Sequence, residues 1–129
     1  MIRVKSKNNN YQCYVDSYED IVIDTTLDKG GTGKGIRPHQ LLEAAFASCM
    51  NISLRMKAKE YGIELNRVET SVRLARGIEE KSIFEYEYKI REPLEEEVRN
   101  KITDIVKNCA VRKTLLKQIE FKEIDKDNY

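Results

Sequence analysis

Apolar positions recur along this chain in two periods, and the switches between them mark out its elements. From Arg37 to Gly62, RPHQLLEAAFASCMNISLRMKAKEYG, they fall three and four residues apart, the spacing of a helix. Pro38 suits the first helical position, where its missing N–H costs nothing, and Gly62 suits the left-handed residue that closes a helix. Leu42, Ala45, Phe46, Ile52, Ser53 and Met56 share a face with Cys49, while Leu41, Met50 and Leu54 extend the apolar surface almost around the rod. Such a helix is expected to be buried, and the Cys49 thiol with it.

On either side the period falls to two. Ile2 to Val4, Tyr11 to Val15 and Ile21 to Ile23 are short apolar stretches separated by turn residues, among them Asn8, Asn9 and Asn10. Asparagine tolerates the positive φ of hairpin turns, so the spacing predicts a three-stranded antiparallel meander with Cys13 as an ordinary strand residue. After Gly62, Val68, Thr70, Val72 and Leu74 alternate with polar neighbours. Beyond a turn from Gly77 to Lys81, Phe84, Tyr86, Tyr88 and Ile90 interleave with Ile83, Glu85, Glu87 and Lys89. This predicts a long hairpin with one buried face.

Pro93 is expected to open a second helix, with Glu95, Glu96 and Glu97 meeting the positive end of its dipole. Leu94, Val98, Ile102, Ile105, Val106 and Cys109 follow at helical spacing, so Cys109 is expected on that helix's buried stripe, as Cys49 is on the first. Arg112, Lys113 and Lys117 lie near its end, Ile119 to Ile124 reads as a last strand, and the tail from Asp125 to Tyr129 as frayed. The sum is an α+β fold, antiparallel sheets with a long central helix and a second cysteine-bearing helix, in a single domain spanning 1–129. A helix of ~24 residues is ~36 Å long, more than the diameter of a domain this small, so a second subunit is its natural cover and a homodimer the commonest solution.

Composition narrows the partners. The chain has 23 basic and 22 acidic residues, a net charge of +1, and so no field to gather nucleic acid or an acidic membrane surface. The start, MIRVKSKNNN, lacks a signal peptide's apolar core, and no run nears the ~20 apolar residues of a membrane span, so a cytoplasmic location is expected. Three cysteines without paired C-x-x-C spacing suggest neither a disulfide framework nor a metal site. The glycine-rich stretch from Asp28 to Gly35 departs twice from a phosphate-binding loop, with Asp28 for its first glycine and Gly35 for its hydroxyl residue. It reads instead as a pliable connection into the long helix.

Any chemistry is therefore thiol chemistry. Free cysteine is also among the most buried residue types, so pure packing is the plain alternative for both Cys49 and Cys109. Two motifs add to this reading. Gly35 to Cys49, GIRPHQLLEAAFASC, resembles the P-x-x-L-L-x-A-A-x-A-x-C signature of the OsmC/Ohr superfamily, the osmotically inducible and organic hydroperoxide resistance proteins. Cys109 to Leu115, CAVRKTL, is similar to that superfamily's C-P-V-x-K-x-L signature, with Ala110 in place of the proline.

The resemblance implies an intertwined homodimer with two sites at its interface. It also implies a cysteine-based peroxidase in which Cys49 attacks an organic hydroperoxide and Cys109 closes a disulfide. An external dithiol, a lipoylated protein in the better-known members, would then reduce that disulfide, with no metal or bound cofactor. The alternative is a non-catalytic dimer of the same fold that binds a small hydrophobic ligand or senses redox state.

Attack requires a thiolate, and Cys49 lies too far along its own helix for the positive helix end to help. In hydroperoxide-reducing members of the superfamily an arginine of the first hairpin supplies the cation, held by a glutamate ten residues before the cysteine. Here Asn8 to Gln12 contains no arginine, and His39 occupies the glutamate position. Arg37 is the candidate cation from the first motif, with Arg112 and Lys113 as rivals. His39, Glu43, Phe46 and Arg112 are candidate pocket or supporting residues. His39 is ~15 Å of helical rise from Cys49, so only a second copy would bring it to the thiol.

Overall fold

Pro38 starts helix α1 (Pro38–Glu60) in the computed structural model, which describes residues 1–8 and 10–124. At its start the Arg37 backbone N–H donates to Gln40 Oε1 at 2.9 Å. At its end Gly62, with φ of 71°, takes the left-handed conformation that only glycine adopts freely. The Gly62 N–H then reaches the Lys59 carbonyl and the Ile63 N–H the Ala58 carbonyl, each at 3.0 Å, so two terminal carbonyls are satisfied.

The hairpin follows as read. Strands β4 (Val68–Ala75) and β5 (Ile83–Ile90) pair antiparallel with Thr70 opposite Tyr88, Val72 opposite Tyr86 and Leu74 opposite Phe84. That face packs on α1, and three hydrogen bonds fasten the two. Leu74 N–H donates to the Glu43 carboxylate at 3.1 Å, the Thr70 hydroxyl to the Ala47 carbonyl at 2.7 Å, and Asn51 Nδ2 to the Val68 carbonyl at 3.1 Å. Residues 43, 47 and 51 are one helical turn apart while their partners run backwards along the strand, so helix and strand lie antiparallel. Beside this seam Phe46, Met50, Leu54 and Ala58 sink into the core with Leu65, Ile90, Ile102, Val106 and Cys109. The opposite stripe of α1, including Leu42, Ala45, Ile52 and Met56, is exposed in the single chain.

The first sheet is the expected meander, β1 (Val4–Ser6), β2 (Cys13–Val15) and β3 (Tyr18–Ile23), with Ser6 opposite Cys13 and Cys13 opposite Ile23. The central turn residue, Asn9, and the tail 125–129 expected to fray lie outside the described residues. The glycine-rich connection folds back over Asp24. Its carboxylate accepts the Thr25 N–H at 2.7 Å, the Thr32 N–H at 2.9 Å and the Thr32 hydroxyl, to which Gln12 Nε2 also donates. A side chain on Gly31 would put its Cβ 2.3 Å from the Thr25 carbonyl oxygen, which explains a glycine there.

The Thr32 hydroxyl above all, with the two backbone N–H groups, holds the Asp24 pKa below its ordinary 3.8 against the opposing effect of burial. The unfolded chain thus takes up this proton at a higher pH than the folded one. The stabilisation is present above pH 3.8 and lost as pH falls through the folded value. Thermal melts from pH 7 to 3 should show the melting temperature falling below about pH 4. Asp24→Asn should lower it at pH 7 and flatten that acid slope.

Two expectations are corrected. The second helix is not continuous and does not begin at Pro93. The chain leaves β5 extended, with Arg91 N–H on the Arg67 carbonyl at 3.1 Å, and enters α2 (Glu96–Thr103) only after Leu94 has packed on the core. A 3₁₀ segment, Asp104–Asn108, then tightens the coil, Cys109 turns extended at φ −66° and ψ 147°, and α3 (Ala110–Leu115) starts afresh. Residues 119–124 form no strand: they are irregular and exposed, with Phe121 at 97%. Their alternation is right for a strand, but among the described residues no neighbouring sheet edge pairs with them.

Candidate dithiol site

The break at Cys109 builds the site. Because the chain straightens there and coils again at Ala110, the first turn of α3 is aimed across at α1, and Val111 N–H donates to Cys49 Sγ at 3.5 Å. The start of α1 itself lies too far back along the helix to reach Cys49. The start of a different helix reaches it.

The two thiols are unequal. Cys49 is partly exposed rather than buried as expected, because it lies where the core-facing side of α1 meets the exposed stripe. Cys109 is 1% exposed. Burial pushes the Cys109 thiol above its usual pKa, the neighbouring Cys49 side chain pushes it further, and the Arg112 backbone N–H and guanidinium oppose the rise. Cys109 is therefore the thiol held as a protonated reserve, in contact with the one that solvent can reach. Both are free.

A cleft of about 450 Å³ opens between Phe46, one helical turn before Cys49, and Arg112, next to Val111; Phe84, Tyr86, Leu115 and Leu116 also line it, and neither cysteine is among its lining residues. Phe46, three residues before Cys49, meets the Phe84 and Tyr86 rings edge-on, with centroids 5.9 and 5.5 Å away. Arg112 Nη1 donates to the Tyr86 hydroxyl at 3.1 Å, and the guanidinium carbon is 5.7 Å from the centre of that ring. Tyr86 was expected on the hairpin's buried face but is 38% exposed, and nothing in the sequence marks it as the partner of Arg112.

The other candidates divide. Phe46 and Arg112 line the cleft, and Glu43 is tied to β4 by the Leu74 N–H. Arg37 and His39 are exposed at the first turn of α1, ~18 and ~15 Å of helical rise from Cys49, and do not approach it within one chain. Cys13 pairs within the first sheet, away from the site. Among the described residues no cluster of His, Cys, Asp and Glu is arranged to hold a metal ion, and no helix is long and apolar enough to cross a membrane.

Fold and site together define an α+β domain that brings one cysteine of a long central helix to a second at the head of a short one. The sequence model of the OsmC-like protein family matches residues 31–123, and the chain belongs to that family. Solved structures share the fold. An OsmC like protein from Mycoplasma pneumoniae superposes with a TM-score of 0.73 at 20% identity, over 89% of this chain and 85% of that one. The organic hydroperoxide resistance protein OhrB of Bacillus subtilis gives 0.65 at 21%, over 90% of both chains. An organic hydroperoxide resistance protein OsmC from Legionella pneumophila gives 0.62 at 18%, over 90% and 89%. No curated protein sequence matches the chain.

Proposed function

We propose that this chain is a cysteine-based peroxidase for organic hydroperoxides, working as a homodimer with Cys49 as the attacking thiol and Cys109 as the resolving one. Family membership and the hydroperoxide resistance proteins among its structural neighbours support a redox or peroxide-related role. The observation that carries the finer reading is the meeting of an accessible thiol, Cys49, with a buried thiol, Cys109, under the Val111 N–H.

In the reaction the Cys49 thiolate attacks the outer oxygen of R–O–OH. The S–O bond forms as the O–O bond breaks, and the alkoxide leaves as the alcohol with the proton the thiol gave up. The sulfur is now a sulfenic acid, oxidised by two electrons. The Cys109 thiol displaces its hydroxyl as water to form the disulfide, and an external dithiol, a lipoylated protein being one such, restores both thiols by exchange. Arg37 would take part only if the second copy carried it to Cys49.

The test is to mix reduced protein with a stoichiometric amount of cumene hydroperoxide and read the thiols by mass spectrometry. The expected product has Cys49 joined to Cys109 and Cys13 free. The apolar lining of the cleft favours one other reading, a ligand-binding module without turnover. Under that reading Cys49 stays reduced while an organic ligand raises the melting temperature.

A further inference from the structure

The two thiols supply a nucleophile and a resolving partner, but neither can hold the negative charge that attack expels. Among the residues lining the cleft Arg112 alone is charged, and among the described residues no carboxylate lies within ion-pair distance of it. Glu43, the acidic group nearest along α1, is engaged by the Leu74 N–H.

Arg112 directly follows the residue whose N–H touches Cys49 Sγ, and Tyr86 accepts one of its N–H groups from the wall that packs on Phe46. A guanidinium carries five donors, so the bond to Tyr86 leaves others for a ligand. Its charge also cannot be lost by deprotonation in a partly apolar cleft, as a lysine's can.

We propose that Arg112 is the residue that holds negative charge beside the Cys49 sulfur, the alkoxide expelled from a peroxide included, and that Tyr86 is the positioning residue that steers it there. This rests on the peroxidase reading only for the identity of the anion. In the attack the O–O electron pair moves onto the departing oxygen, and donors already fixed at that point stabilise the charge without reorganising.

The experiment compares wild type, Arg112→Gln, Arg112→Lys and Tyr86→Phe, all changes at partly exposed positions. Cys49 is alkylated at pH 7 with iodoacetate and with iodoacetamide. Both reagents need the thiolate and differ in charge, so the ratio of their rates reports the local cation independently of thiol ionisation. Arg112→Gln should lower that ratio about fivefold, the size expected for one charge a few ångströms away at a partly wetted site. Arg112→Lys should restore most of it, and Tyr86→Phe, which keeps the ring, should fall between.

Oxidation of Cys49 by cumene hydroperoxide should slow about 100-fold in Arg112→Gln, as when one donor to a developing oxyanion is removed. An unchanged alkylation ratio in Arg112→Gln overturns the proposal. If wild type is inert to peroxide and the ratio still falls, the peroxidase reading fails while the assignment of Arg112 as the anion-holding group stands.

Discussion

Cys109→Ser should react with organic hydroperoxide once and stop at a sulfenic acid on Cys49. Without reductant the wild-type chain should lose two thiols per peroxide and give an internal disulfide, whereas this variant should lose one and accumulate a dimedone adduct at Cys49. Cys49→Ser should lose neither, with oxidation slowed at least ~10³-fold, because a serine hydroxyl at neutral pH is a far poorer nucleophile than a thiolate. The asymmetry follows from the site. Cys49 is open to solvent on one side and meets the Val111 N–H, while Cys109 is closed off and held protonated by burial. Because Cys109 packs among Ile102, Val106 and Leu54, a serine there buries a hydroxyl at a cost of about 1–2 kcal/mol. Cys109→Ala should therefore give the same chemistry and separate it from stability. Oxidation at Cys109 first would reverse the assigned roles, and a disulfide linking Cys49 to Cys13 would remove Cys109 as the resolving thiol.

What could be read from the sequence alone depended on whether the information was local. The ends of α1 were legible to within two residues because Pro38 and Gly62 are backbone punctuation, and the hairpin because its alternation faces a single partner. The break at Cys109 was not legible. A 3₁₀ segment has three residues per turn, so Ile102, Ile105 or Val106, and Cys109 still fall on one side, and the apolar pattern runs through the break unaltered. A proline at 110 would have marked the start of a new helix; Ala110 leaves no such mark. The pairing of the two thiols was legible only through the motifs. The link from Arg112 to Tyr86 joins residues 26 apart on different elements, and no spacing encodes it.

Ile52→Asp should separate two copies of the chain. Alone, the chain leaves two problems unsolved. Leu42, Ile52 and Met56 make an exposed apolar stripe on α1, and the sheet β1–β3 contributes nothing to the central core and has no substantial packing contact with the helices or hairpin. A three-stranded sheet needs a hydrophobic face packed on something to be stable, and this one shows Val4, Tyr18 and Ile21 to solvent. In the homodimer proposed above, a second copy related by a two-fold axis would offer each surface the kind of cover it lacks. Under that arrangement an aspartate at 52 is buried unpaired in both protomers. At more than ~1.4 kcal/mol each, association should weaken at least ~100-fold. Sedimentation equilibrium across protein concentrations reads this directly, and the variant's melting temperature should fall and depend less on protein concentration than the wild type's. If the stripe faces only water, the same substitution should change neither mass nor melting temperature, since exposed helix positions tolerate such changes to within ~0.5 kcal/mol.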